Sequence, residues 1–162
     1  MSKNKIFLQL IFCLCSIVTL YGSELEQRKD SIKELLMVTS ETNKRLELLE
    51  KMSYLSMDDS TGYFWLNQLR KEASEARDTD KEGWAIRTLV RFYYNMGDVD
   101  NVSHYVSRID SLAKVTGEYK DYYFDAHTFL CQLLLWDDQF EKAADAAIRL
   151  YNLAKEEKNE TG

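Results

Sequence analysis

A few side chains in this chain are of the types that do chemistry. Asp58-Asp59 and Asp137-Asp138 are paired acids. Two carboxylates in one cleft can divide the roles of acid and base. Cys131 with His104 or His127 would be the raw material of a thiol nucleophile. Asp98, Asp100 and Asn101 fit the opening of a calcium loop. Each has a plainer reading. Both acid pairs fall where a helix starts, and carboxylates there complement the helix dipole. A calcium loop needs an acid or amide next, then a glycine; Val102 and Ser103 stand there instead. Asp98 reads better as an N-cap. Neither histidine has metal-ligand spacing or shares a recognisable motif with Cys131, which reads as a small buried hydrophobe. There is no Gly-rich phosphate loop and no nucleophile elbow. The expectation is a chain with no catalytic residue, no metal and no cofactor.

The composition points to helices. Among 162 residues there is no proline and there are six glycines, so long helices with short links are favoured over a turn-rich β fold. Charged residues at 30% and hydrophobic ones at 45% are ordinary for one globular domain. The first 23 residues differ from the rest. Lys3 and Lys5 precede an apolar run from Ile6 to Leu20, and Gly22, Ser23 and Glu24 follow. This is the layout of a secretory signal peptide, shorter than the ~20 residues of a spanning helix. Residues 1–23 are therefore expected to be a leader and 24–162 the domain, exported to the periplasm or tethered facing it. Losing Lys3 and Lys5 takes the net charge from −6 to −8, which disfavours phosphate-dominated nucleic-acid binding. Cys131 is then the only thiol, and no internal disulfide can form.

Apolar periodicity predicts seven helices after the leader. They are Glu24–Val38, Asn43–Met57, Thr61–Arg77, Trp84–Met96, a fifth from the Asp98 cap to Val115, Glu118–Trp136, and a seventh ending near Lys158. Asp78 to Gly83 is expected to be a charged connection, and Ser60 a cap for the third helix. The inward residues are predicted to include Leu25, Ile32, Leu35 and Leu36 of the first helix. Trp65, Leu69, Ala73 and Ala76 would line the third, and Tyr123, Ala126, Leu130, Leu133 and Leu134 the sixth. Turns at Asp58, Gly97 and Asp138 recur about every 40 residues, the mark of a two-helix repeat.

In two units the slots read Ile86, Leu89, Val90, Tyr93, Gly97-Asp98-Val99, Val102, Val106, Ile109 and then His127, Leu130, Cys131, Leu134, Asp138-Gln139-Phe140, Ala143, Ala147, Leu150. This pattern resembles the tetratricopeptide repeat family over Gly83 to Gly162. The first unit departs, with Trp65 in a small-residue slot, and the family's closing proline is absent. The resemblance implies an all-α solenoid of tandem antiparallel hairpins. It also implies a peptide-binding groove lined by Trp84, Arg87, Arg91, Tyr94, Asn95, Thr128, Gln132 and Leu135. Arg87 and Arg91 are one turn apart and could clamp a carboxylate, or else pair with acids such as Glu82 or Asp125. Most of the aromatic set Tyr119, Tyr122, Tyr123, Phe124, Phe129 and Trp136 is expected between helices.

An exported repeat of this kind resembles the sensory region of bacterial membrane sensors with a histidine-kinase or regulator output. A protein or peptide partner is therefore expected. A freestanding periplasmic scaffold is the alternative, and a small helical hydrolase a distant third. The seventh helix is apolar on nearly all sides, unlike a capping helix. A C-terminally truncated array is expected from this, or a homodimer through that helix.

Overall fold

The computed structural model describes residues 22–57, 59, 61–117 and 121–160. The expected leader, apart from residues 22 and 23, Asp58 of the first acid pair and the expected Ser60 cap lie outside them. Seven helices account for nearly all of the described residues, with no strand among them. They are α1 (22–38), α2 (Thr42–Leu55), α3 (Gly62–Ala76), α4 (Thr79–Met96), α5 (Val99–Thr116), α6 (Asp121–Trp136) and α7 (Phe140–Glu160). From α2 onward each helix packs on the next, and α6 also packs on α4. The result is an all-α fold of helical hairpins. No helix among the described residues is long and apolar enough to cross a membrane.

Three links are the same tight turn. Arg77, Gly97 and Asp138 adopt the left-handed conformation, at φ of 58°, 71° and 57°. The next amide donates back across the turn each time. Asp78 N–H reaches Ala73 C=O at 2.9 Å, Asp98 N–H reaches Tyr93 C=O at 3.0 Å, and Gln139 N–H reaches Leu134 C=O at 2.9 Å. This satisfies carbonyls that the ending helix would leave bare. The Asp78 and Asp98 carboxylates then accept from Lys81 N–H and Asn101 N–H, each at 3.0 Å, and start the next helix. Residues 79–83 are therefore the first turn of α4 and not a connection. The glycine at 97 marked its own turn in the sequence; the arginine at 77 did not.

The core has two parts joined through α3 and α4. Leu46, Leu49, Leu69, Ala73 and Ala85 belong to one. Ile86, Leu89, Val90, Val102, Ile109, Tyr123 and Ala126 belong to the other. Each large apolar side chain here contributes about 1.5–3 kcal/mol on burial. Ala73 and Ala85 are fully buried, and their small size lets α3 and α4 approach closely. Gly83 works likewise between α4 and α6: a Cβ there would stand 2.4 Å from the Tyr122 ring.

Some inward positions differ from expectation. Leu25 and Leu35 are exposed, and so is Ala76. Trp65 and Leu130 are half-buried. Of the apolar side chains of α1, Leu36 is buried and Ile32 partly so. The helix is held largely by polar contacts instead. Lys29 Nζ is buried against Asp59 at 2.5 Å, and Arg45 donates to the Leu36 carbonyl at 2.6 Å.

Candidate binding groove

One long open groove of 1420 Å³ runs across the first four helices. On α4 it is lined by Trp84, Arg87, Thr88, Arg91, Phe92 and Asn95. These recur at three- and four-residue steps, so one stripe of the helix faces the groove. Glu47, Glu50, Lys51 and Tyr54 form the matching stripe of α2. Tyr63 and Leu66 come from α3, and Gln27, Arg28, Ser31 and Ile32 from α1.

The lining combines aromatic surface with charge. The Tyr63 ring lies 5.8 Å from Phe92 and 5.9 Å from Tyr93, centre to centre. Tyr93 in turn stacks on Tyr105 at 5.7 Å, carrying the aromatic run into the core. Burial, with the Tyr63 hydroxyl beside it, pushes the Tyr93 phenol far up, so it stays neutral. Tyr54 and Tyr63 are exposed at the groove and Trp84 is half-buried. Rigid amphipathic rings of this kind supply contact area at small entropic cost.

Most of the groove's charges already have partners. Arg28 pairs with Glu24 at 2.6 Å, Lys81 with Glu50 at 2.6 Å, and Arg87 with Asp125 of α6 at 2.5 Å. Glu82 is buried and holds Arg108 at 3.1 Å. Glu47 and Lys51 stand one turn apart on α2, and both are exposed at the groove. Arg91 is exposed, and among the described residues no carboxylate lies within ion-pair distance of it. It is the groove's available guanidinium, carrying five donors in a fixed fork.

Of the eight residues expected in the groove, Trp84, Arg87, Arg91 and Asn95 lie together on its wall. The other four lie elsewhere. The Tyr94 hydroxyl donates to Gln132 Oε1 at 2.9 Å, and its ring lies 4.8 Å from Phe129 and 5.1 Å from Trp136. These contacts fasten α4 to α6. The Thr128 hydroxyl donates to its own helix at the Phe124 carbonyl, and Leu135 is exposed beyond it. Arg87 takes the surface-acid pairing and not the clamp. The contributions of α1 and α2 went unassigned in the sequence. The i, i+4, i+7 spacing of Glu47, Lys51 and Tyr54 was the available signal.

The acids and histidines occupy other places. Asp59 accepts from Lys29 first and from Thr61 second, and these bonds hold its carboxyl down to about 2. Asp137 accepts from the Gln139 side chain beside the α6–α7 turn. His127 is buried, with Nε2 at 2.9 Å from Asp110 Oδ1, and Arg149 approaches the other oxygen at 3.4 Å. Burial would raise the Asp110 carboxyl, but the His127 bond, the Arg149 charge and a Tyr123 bond together keep it low. This cluster joins α5, α6 and α7. His104 is exposed, edge-on to Tyr105 at 5.2 Å. Burial pushes the Cys131 thiol up, away from the reactive thiolate. Among the described residues, no three His, Cys, Asp or Glu side chains converge on a point that could hold a metal ion.

No protein-family model, curated protein or solved structure matches the chain.

Proposed function

We propose that the chain is an exported helical-repeat domain of tetratricopeptide-like type that binds a protein or peptide, as the sensing segment of a larger signalling protein. The groove across α1–α4 is the binding site, and recognition proceeds by preformed helices with no bond chemistry. One observation carries this reading. An open trough lined by Tyr54, Tyr63, Trp84 and Phe92 also holds a guanidinium, Arg91, that has no acid partner among the described residues. Aromatic rings give area, and a free guanidinium takes a carboxylate in two bonds. The favoured ligand is an extended peptide with apolar residues and one acidic side chain or C-terminus.

The test is selection from a phage-displayed peptide library, followed by titration of the enriched peptides. Arg91→Glu is expected to weaken binding by about tenfold, or about 1.4 kcal/mol. Trp84→Ala, which truncates a central ring, is expected to weaken it by more. Absence of enrichment, or peptides indifferent to both changes, would refute the groove reading.

A further inference from the structure

Helix α7 carries two apolar faces, and the structure uses one. Ala143 is buried, while Leu150 and Leu153 pack on the main core. The second face is a stripe of Phe140, Ala144, Ala147, Ile148 and Tyr151, all exposed. Phe140 is 61% exposed, Ile148 60% and Tyr151 67%. The stripe ends at Lys155, about 22 Å along the helix from Phe140.

From the order of sizes and charges along this stripe, we infer that it seats the same stripe of a second copy, antiparallel, about a two-fold axis between residues 147 and 148. The inference is independent of the groove. A two-fold interface requires a surface complementary to itself. About this axis Ala144 faces Tyr151 of the other copy, twice over, so each Tyr151 ring meets a small residue, and Phe140 lies along the Lys155 side chain. Ala147 meets Ala147 on one edge, and Ile148 meets Ile148 on the other. Glu141 lies on the same edge as Lys155, so the acid at one end stands beside the lysine of the other copy at both ends. A parallel pairing loses both features: Tyr151 meets Tyr151, and Glu141 meets Glu141. Like charges facing each other oppose that arrangement.

Three large side chains per copy lie at the low end of what sustains an interface of ~800 Å² per partner. The dimer is therefore weak and reversible. The polar side of α7, with Asp145, Arg149 and Asn152, stays in water. Arg149 remains on Asp110 and keeps α7 seated on α5.

Disulfide trapping tests this in the full chain, with Cys13, Cys15 and Cys131 replaced by serine. Ile148→Cys alone should give a dimer band under mild oxidation. Ala144→Cys alone and Tyr151→Cys alone should give none. The double variant Ala144→Cys/Tyr151→Cys should give a dimer again. Asn152→Cys, on the polar side, should stay monomeric. Light scattering of the cysteine-free chain at ~50 μM should give a mass above the monomer, and Ile148→Asp should return it to the monomer with unchanged helical circular dichroism. Bands from Ala144→Cys alone would mean parallel pairing and overturn the proposal. So would equal trapping at Asn152→Cys, or monomers throughout, which would leave the stripe to a different partner.

Discussion

Single residues set the tight turns, and their cost is uneven. Gly97 adopts φ 71° without a Cβ, while Arg77 and Asp138 adopt nearly the same angle with one. A non-glycine residue in this region costs about 1 kcal/mol. Arg77 is exposed, and among the described residues its side chain has no ion pair. Arg77→Gly is therefore expected to stabilise the fold by about 0.5–1 kcal/mol in urea unfolding, and Gly97→Ala to destabilise it by a similar amount. A loss of stability in Arg77→Gly would sink this account of the turn. Asp59 gives a pH signature. Its carboxyl is lowered from 3.8 to about 2 by the hydrogen bonds from Lys29 and Thr61. A depressed acid stabilises the fold above its unfolded value and loses that contribution as pH falls through the folded one. Stability is expected to decline between about pH 4 and pH 2 in part through this site, and Asp59→Asn should flatten that part of the profile. Asp59 is partly open to water, so the effect is modest. A profile identical in Asp59→Asn would remove Asp59 from the explanation.

At the scale of elements, close approach between neighbours decides which helices meet. Gly83 on α4 makes room for Tyr122 on α6. Gly83→Ala should destabilise by about 1–3 kcal/mol, because the ring must leave its place. In a Tyr122→Ala background the same change should cost little or help, since alanine is the better helix former. A double-mutant cycle reads this directly; equal cost in both backgrounds would mean that the ring is not the obstacle. The same contact bears on the groove. Arg87 and Asp125 bridge α4 to α6 beside Tyr122, so the angle between these helices sets how Arg87 and Trp84 face the trough.

Across the whole molecule, both core clusters share α3, with Leu66 in one and Leu69 and Ala73 in the other, and both share α4. Ala85 belongs to one cluster, and Ile86, Leu89 and Val90 to the other. The first and last described helices are less well covered. Leu35, Met37 and Val38 on α1 are exposed, as are Phe140, Ile148 and Tyr151 on α7. Amide hydrogen exchange should therefore be slowest in α4 and α5 and fastest in α1 and α7. Leu89→Ala, at a fully buried site, should cost about 2–5 kcal/mol and speed exchange in α3 and α5 together. Exchange in α4 as fast as in α1 would contradict this shared-helix picture.

Much of the fold was readable along the chain because helix signals are local. The stripes Leu46, Leu49, Met52 and Val102, Val106, Ile109 declared their buried faces by spacing alone. Gly97-Asp98 declared its turn by residue type. Arg77-Asp78 makes the same turn with an arginine, and an arginine carries no such signal, so α4 was expected to begin five residues too late. The groove was half readable for a related reason. Spacing shows that Trp84, Arg87, Arg91 and Asn95 share a stripe, whatever that stripe faces. That α1, α2 and α3 stand across from it, that Tyr94 turns instead to Gln132 and Trp136, and that Asp125 occupies Arg87 all depend on helices distant in sequence. Periodicity assigns a residue to a face of its own helix; only packing decides what that face meets.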